Sequence, residues 1–189
     1  QPTKDGLNLD IKKGKHTVLG GVYDKGNKKL NIKFHYNRTF MEKKKYPDSG
    51  SWTIRLIPDY TLSLWPYEFT EKDAEKKEAI VHIHFDAKYK FDLKDVAGGE
   101  NEKDSDKMDK EKNYKNGDIW KMHAYKDAIR RSAGSYIIYP GDKKETFRGF
   151  YEILPGLGAF PLRPSENTKD SDSLKKFISE ITDHLCGEQ

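Results

Sequence analysis

The sequence predicts an α/β domain, and three patterns support this prediction. Residues 30–36 and 79–91 alternate apolar and polar side chains, as half-buried strands do. Residues 119–132 repeat apolar side chains at helical spacing, and a short apolar run at 135–139 follows them. Because strand-like and helical patterns alternate along a chain of 189 residues, we expect one domain with a modest core.

The N-terminal part predicts an extension and then a β-hairpin. Residues 1–16 are polar and follow no period, so we expect them to lie outside the core. From residue 17 the pattern is strand-like through Val22, and the turn-forming residues 24–27 lead into the strand at 30–36. Two strands joined by such a turn are typical of a hairpin.

Two further strands are predicted on either side of a Pro-Asp pair. Residues 52–57 alternate apolar and polar side chains, run into Pro58 and Asp59, and continue as an apolar strand to Trp65. The charged stretch 70–78 is interpreted as a solvated connector.

The strand at 79–91 is the strongest in the chain. Side chains two residues apart share a face of a strand. One face is therefore apolar and carries Val81, Ile83, Phe85 and Ala87. The opposite face is polar and carries His82, His84, Asp86 and Lys88.

A charged insertion and a helix follow this strand. Residues from about 94 to 116 are rich in Lys, Asp, Glu, Asn and Gly, so we expect a flexible insertion. Asn116 or Asp118 can cap a helix over about 119–132. The apolar stripe of this helix comprises Ile119, Met122, Ala124, Tyr125, Ala128 and Ile129.

The remaining elements complete the plan of the domain. Short strands are predicted at 135–139 and 147–154, and an amphipathic helix at 174–185. We therefore assign residues 17–165 to the core and residues 166–189 to a C-terminal helix.

The composition excludes several classes of function. Charged residues make up 35% but the net charge is only +4, so a nucleic-acid surface must come from local clustering. The single cysteine, Cys186, rules out a disulfide scaffold and fits a reducing cytosol. The chain has neither an apolar run of membrane-spanning length nor a signal-peptide core, so we expect a cytoplasmic protein that does not act at a membrane.

One Asp-x-Lys triplet stands in a context that favours catalysis. Asp86-Ala87-Lys88 lies near the end of the strongest strand, and Asp59 precedes Asp86 by 27 residues, enough for a strand, a connector and a return strand. The same triplet also begins, without such a strand, at Asp10, Asp92 and Asp142. The alternative is a pair of structural aspartates at the edge of a sheet.

These residue types suit the cleavage of phosphodiester bonds. The carboxylates of Asp59 and Asp86, with the backbone carbonyl of Ala87, can bind a hard divalent cation, Mg²⁺ or Mn²⁺ as its substitute. Such a cation neutralises charge on the scissile phosphate and activates water. Lys88 shares a strand face with Asp86, and its side chain can serve as a base or as an electrostatic clamp.

Four segments resemble the PD-(D/E)xK nuclease superfamily: LIPDY at 56–60, HFDAKYK at 84–90, DIWKMHAYKDAI at 118–129 and YIIYPG at 136–141. The resemblance covers about residues 17–163 and is nearest to the nuclease domain of McrC-like and DUF2357-type restriction proteins. It implies a restriction-endonuclease-like fold, a mixed central β-sheet flanked by helices, and Mg²⁺-dependent cleavage of double-stranded DNA in bacterial or archaeal defence. It also implies a separate AAA+ GTPase as partner, and it leaves the oligomeric state open.

The chain departs from the superfamily pattern in two places. Related nucleases often carry Gln-x-x-x-Tyr on the helix after the Asp-x-Lys strand, and the matching positions are Lys121 and Tyr125. These two side chains share a helix face and are expected to touch the active site or a DNA phosphate. The superfamily also places an acidic residue on a helix before the first core strand. No such helix is evident before Thr17, and we expect it to lie outside this segment.

Other residues leave alternatives open. His82 and His84 share a face with Asp86 and are interpreted as surface or substrate-facing residues rather than metal ligands, and His84 alternatively as a residue that supports the site. The basic residues at 43–45 and 130–131 are either phosphate contacts or a solvated surface. The alternative to a nuclease is a non-catalytic domain that binds nucleic acid or docks the AAA+ partner.

Overall fold

The computed structural model describes residues 18–26, 28–42, 44–88, 105–140, 144–147, 154–162 and 169–187. The elements are, in chain order, β1 (Val18–Lys25), β2 (Lys28–Tyr36), β3 (Tyr60–Pro66), α1 (Glu71–Lys76), β4 (Val81–Ala87), α2 (Ser105–Ala128), β5 (Ser132–Tyr139), β6 (Glu145–Phe147), β7 (Leu157–Pro161) and α3 (Lys169–Leu185). No helix in the part of the chain just listed is both long and apolar enough to cross a membrane.

The seven strands form one mixed sheet in the order β1-β2-β3-β4-β5-β7-β6. β1 to β4 pair as antiparallel neighbours, whereas β4, β5 and β7 pair in parallel. The edge strand β6 pairs antiparallel with β7. Helices flank this sheet, and the predicted fold class, a restriction-endonuclease-like α/β domain, is confirmed.

The alternation predicted for β4 is confirmed, and both of its faces are buried. Ile83 and Phe85 belong to an apolar cluster that α3 completes with Phe177 and Ile181. The opposite face carries three fully buried polar side chains, His82, His84 and Asp86. A second cluster covers this polar face and includes Phe40, Met122, Tyr125 and Ile129. The central strand therefore places polar groups inside the protein, where each must find a partner.

The predicted hairpin and the C-terminal helix are confirmed by β1, β2 and α3. The strand predicted at 52–57 is wrong. Residues 51–57 make only two isolated bridges, Ser51 with Ile129 and Leu56 with Phe40. Both edges of the neighbouring strand β3 are already occupied by β2 and β4, so no sheet edge is left for a further strand there. The alternating apolar side chains Trp52 and Ile54 are accordingly exposed.

The solvated connector predicted at 70–78 is also wrong, because most of it is the helix α1. Thr70 caps the helix, and its hydroxyl accepts a hydrogen bond from the backbone N–H of Asp73 at 3.2 Å. Ala74 and Glu75 are buried. Glu75 tolerates burial because Arg38, His82 and Arg131 surround its carboxylate.

The helix after β4 begins earlier and ends earlier than predicted. α2 starts at Ser105, so the backbone of residues 105–116 is helical although they belong to the predicted flexible insertion. It ends at Ala128, because β5 begins at Ser132 to pair with β4. The first part of that insertion, the N-terminal extension and most of the predicted strand 147–154 lie outside the described residues.

Candidate active site

The aspartates predicted to bind metal meet where β4 ends. β3 runs antiparallel to β4 with Tyr60 opposite Phe85, so the residue before β3 lies beside the end of β4. Asp59 is that residue, and its Oδ2 accepts a hydrogen bond from the backbone N–H of Ala87 at 2.8 Å. The Asp59 carboxylate therefore lies against the peptide that joins Asp86 to Ala87.

The carboxylate of Asp86 is fully buried and lies between two lysines. Lys121 Nζ donates to Asp86 Oδ1 at 2.6 Å, and Lys88 Nζ lies 2.7 Å from Asp86 Oδ2. Lys88 also reaches Asp118 Oδ1 at 2.8 Å. The four side chains thus form a row of alternating charge between α2 and the end of β4, in the order Lys121, Asp86, Lys88 and Asp118.

Asp118 is a member of this site that the sequence reasoning missed, because it was interpreted only as a helix cap. Asp118 and Lys121 stand three residues apart, a spacing that places two side chains on one face of a helix. Since Lys121 was already a candidate, the same spacing applied in reverse would have identified Asp118. Its carboxylate holds the ammonium of Lys88 from the side opposite Asp86.

The ion pairs keep both lysines protonated. Burial acts to lower the pKa of Lys88, but the hydrogen bonds to Asp118 and Asp86 outweigh burial, so the pKa is raised. Burial also acts against the charged form of Lys121, yet the hydrogen bonds to Asp86 and Tyr125 raise its pKa. Two positive charges therefore stand at fixed positions around the Asp86 carboxylate at neutral pH.

Tyr125 supports the site from inside the fold. Its ring is buried, and the Nζ of Lys121 lies 5.4 Å from the ring centroid. Its hydroxyl donates to the backbone carbonyl of Ile57 at 3.0 Å, two residues before Asp59. Burial is the main cause that raises the pKa of Tyr125, so the phenol remains a neutral donor. Tyr125 thus links α2 to the segment that carries Asp59.

His84 is fully buried beneath the site and cannot contact DNA directly. Its Nδ1 lies 3.1 Å from the hydroxyl of Thr61, and its ring packs edge-on against Phe40 at 5.3 Å between centroids. Burial lowers the pKa of His84 well below its ordinary value, so the ring is neutral. Of the two roles predicted for His84, only the supporting role is compatible with this position.

Arg130 and Arg131 are neither phosphate contacts nor part of a solvated surface. The guanidinium of Arg130 donates to the backbone carbonyls of Lys44 and Asp48, both at 2.9 Å. That of Arg131 donates to Glu75 Oε2 at 2.8 Å. Both arginines hold neighbouring segments in place, because the turn after α2 points them into the protein.

The oxygen atoms at the end of β4 fit a hard divalent cation. Asp59, Asp86 and the carbonyl of Ala87 are ligands of the type that Mg²⁺ prefers. Asp86 Oδ2 is buried, and the ammonium of Lys88 lies 2.7 Å from it. Across the described residues, no group of three or more His, Cys, Asp or Glu side chains is arranged around a metal position.

The mixed sheet, with an Asp-x-Lys triplet closing its central strand and a second aspartate beside it, defines a restriction-endonuclease-like nuclease domain. A family model described as the PD-(D/E)XK nuclease superfamily matches residues 1–144. The chain belongs to this superfamily. Comparisons with curated proteins and with solved structures find no match. The nearer resemblance to McrC-like and DUF2357-type restriction proteins stays a prediction.

Proposed function

We propose that this nuclease domain is a metal-dependent DNA endonuclease of a restriction or defence system. The observation that carries the proposal is the fully buried carboxylate of Asp86, held by two lysines, with the Asp59 carboxylate on the adjacent peptide. Burying charged groups is unfavourable unless they are well paired, and such clusters are enriched at functional sites.

In this proposal Asp59, Asp86 and the carbonyl of Ala87 hold Mg²⁺, with Mn²⁺ as a substitute. When bound, the cation supplies positive charge next to the scissile phosphate. The carboxylate of Asp86 supports this role, because a divalent cation carries twice the charge of each lysine that pairs with it.

Lys88 is proposed to stabilise the charge that develops on the phosphate in the transition state. Hydrolysis joins a water oxygen to phosphorus and breaks one P–O ester bond, and negative charge shifts toward the phosphate oxygens and the leaving oxygen. An ammonium fixed by Asp86 and Asp118 needs no reorganisation to meet that charge.

Cleavage of supercoiled plasmid tests the proposal. We expect wild type to cut with Mg²⁺ or Mn²⁺ and not with EDTA, and Asp86→Ala and Lys88→Ala to lose activity by about 100-fold or more. Asp127→Asn, which removes an exposed carboxylate from the same helix as Lys121, is the matched control and should cut as wild type does. Cutting that persists in folded Asp86→Ala would refute the assigned centre. Calorimetry of Mn²⁺ binding by the same variants tests the metal ligands separately.

The defence setting and the AAA+ GTPase partner are proposed on the resemblance of residues 84–90 and 118–129 to McrC-like nucleases. Purification of the native protein from its source cells tests both. We expect a GTPase activity to co-purify with wild type and equally with Asp86→Ala, because the nuclease centre does not hold the partner. Phage plating on cells that carry Asp86→Ala should rise to the level seen without the protein. A native preparation without GTPase activity would contradict the partner proposal.

A further inference from the structure

Two exposed aromatic rings and an arginine form a compact group at the C-terminal end of α2. The rings of Tyr46 and Trp52 stack with 5.6 Å between centroids and 22° between planes. The guanidinium of Arg130 lies 4.5 Å from the centroid of Trp52 and 5.8 Å from that of Tyr46. We call Tyr46, Trp52 and Arg130 the aromatic platform.

Trp52 contacts both other groups and is still open to solvent. The Arg130 guanidinium lies 4.5 Å from the Trp52 centroid and 5.8 Å from the Tyr46 centroid, and the two rings are 5.6 Å apart, so the three groups stand at the corners of a triangle. Trp52 is 54% exposed. The exposed part of its side chain is therefore available to a stacking partner.

The platform is held in place by backbone hydrogen bonds and is not a loose loop. The N–H of Trp52 donates to the carbonyl of Ala128 at 2.8 Å, and the N–H of Arg130 donates to that of Gly50 at 3.0 Å. The Arg130 guanidinium ties down the carbonyls of Lys44 and Asp48 as well. A ring that is fixed before binding loses little conformational entropy when a partner stacks on it.

The exposed charges of the segment that carries the platform are mostly positive, which suits a phosphate backbone. Lys44, Lys45 and Arg55 are exposed there, against the exposed carboxylate of Asp48. Along α2, the contact of Trp52 with Ala128 is seven residues from Lys121, about 10 Å at the rise of an α-helix, or about three base steps of DNA. A strand that passes the candidate active site can therefore reach the platform within a few nucleotides.

We propose that the aromatic platform binds an unpaired base of the nucleic-acid substrate by stacking on Trp52, a few nucleotides from the scissile phosphate. This inference rests on the proposed function for the identity of the substrate. An aromatic ring stacks on the face of a base, and inside a duplex the neighbouring pairs cover these faces, so that only base edges and phosphates are presented. The domain should therefore prefer duplexes that carry a single-stranded flap or gap over fully paired DNA.

Fluorescence anisotropy in EDTA tests this proposal, because binding is then measured without cleavage. Two labelled probes are compared, a blunt duplex and the same duplex with a short unpaired flap. We expect wild type to bind the flap probe more tightly, and Trp52→Ala to weaken that binding about 5- to 100-fold with less than a twofold effect on the blunt duplex. Trp52→Phe should keep most of the affinity, because it preserves an aromatic face.

Two further variants guard against a general effect of the substitution. Tyr46→Ala removes the ring that stacks on Trp52 and, like Trp52→Ala, should weaken binding to the flap probe. Tyr67→Ala removes another exposed aromatic ring, at the end of β3, and should leave both probes unaffected. Equal loss in Tyr67→Ala, or wild-type binding by folded Trp52→Ala, would overturn the proposal. Failure of wild type to bind either probe would overturn it as well.

The outcomes separate this proposal from the nuclease proposal. Wild type that binds the flap through Trp52 but never cuts with Mg²⁺ or Mn²⁺ would overturn the nuclease proposal and support the platform. Wild type that cuts plasmid, while Trp52→Ala binds the flap as wild type does, would overturn the platform and leave the nuclease centre supported.

Discussion

At position 121 this chain has a lysine where the nucleases it resembles often have a glutamine. The lysine brings a second ammonium to Asp86, so Lys88 and Lys121 face Asp86 and Asp118 in a balanced set of charges. A glutamine could donate a hydrogen bond to the same carboxylate but would bring no charge. The lysine at position 121 therefore adds a second ammonium that competes with a bound metal for the Asp86 carboxylate.

Lys121→Gln is predicted to tighten Mn²⁺ binding. The ammonium of Lys121 is 2.6 Å from Asp86 Oδ1 and competes with a metal for that oxygen, and its side chain is 40% exposed. Because the lysine end of the pair is open to solvent although Asp86 is buried, screening keeps the expected gain modest, roughly one and a half- to fivefold by calorimetry. Lys176→Gln, at an exposed position on α3, is the matched control. Weaker Mn²⁺ binding by Lys121→Gln would mean that the lysine helps to assemble the site.

Asp118→Asn is predicted to lower kcat roughly tenfold and to leave KM nearly unchanged. The asparagine can still contact Lys88 but no longer attracts its ammonium, so the lysine loses a charge-assisted partner at 2.8 Å. Steady-state cleavage kinetics on an oligonucleotide measure both constants. Asp127→Asn on the same helix serves as the comparison. An unchanged kcat, or a loss confined to KM, would exclude a positioning role for Asp118.

Among the secondary-structure elements, the sequence patterns predicted those strands and helices whose side chains on any one face are either all apolar or all polar. β4 was predicted with its correct face assignment because strict alternation is independent of what covers each face. α1 was missed because its charged sequence resembles a solvated segment, although the Thr70–Asp73 spacing is a helix-start signal. Only the tertiary structure shows that Arg38 and Arg131 compensate the buried charge of Glu75.

The incorrect strand at 52–57 also has a tertiary cause. An alternating pattern predicts a strand but cannot show whether a sheet edge is free to pair with it.

The helix α3 lies beyond the residues that match the superfamily, yet it completes one side of the core. Phe177 is fully buried and packs 4.8 Å, between ring centroids, from both Tyr136 and Phe160. Phe177→Ala is predicted to lower the free energy of unfolding by about 3–5 kcal/mol, because a large cavity forms in a packed cluster. Urea denaturation measures the loss, and Lys176→Ala at the next, exposed position should change it by less than about 0.5 kcal/mol. A small effect of Phe177→Ala would indicate that α3 is not part of the stable core.

For the molecule as a whole, the candidate site was more predictable from sequence than the surfaces around it. Asp59, Asp86 and Lys88 could be chosen because metal chemistry restricts the residue types and a strand fixes their face. Asp118 and the aromatic platform depend on where α2 lies relative to the sheet and to the segment before β3. No local pattern encodes that placement. The three-residue spacing from Lys121 points to Asp118, but only the structure shows that Asp118 contacts Lys88 and that the platform assembles.

The two sides of the sheet differ in chemistry, and this difference predicts how stability depends on pH. The side under α3 is apolar, whereas the side under α1 and α2 holds buried histidines. On that side His82 lies between Ser63, at 2.9 Å from its Nδ1, and Glu75, at 3.1 Å from its Nε2. An ionised Glu75 accepts from Nε2–H, which leaves Nδ1 to accept from the serine hydroxyl. The ring is therefore satisfied in its neutral form.

The free energy of unfolding is predicted to fall as the pH is lowered from about 6.5 toward 4.5. Burial lowers the pKa of His82 and of His84, and burial together with Arg38 lowers the pKa of His35 to about 4. Between these lowered values and the ordinary value the unfolded chain binds more protons than the folded chain. The contribution of these neutral histidines to the free energy of unfolding is therefore fully present above pH 6.5. It is lost as the pH falls toward and through their folded-state pKa values.

Urea denaturation at a series of pH values measures this loss, which should grow steadily as the pH falls from 6.5 toward 5. The lowered pKa of Glu75, which burial opposes but the hydrogen bond to His82 and the nearby arginines outweigh, adds a further loss only below its ordinary value. His35→Gln should reduce the loss between pH 7 and 5, whereas His123→Gln, at an exposed position on α2, should leave it as in wild type. A free energy that stays constant from pH 7 to 5 would show that the buried histidines accept protons without unfolding. The polar side of the sheet would then have to open to water while the apolar side stays packed, and hydrogen exchange confined to β3 and β4 would reveal that opening.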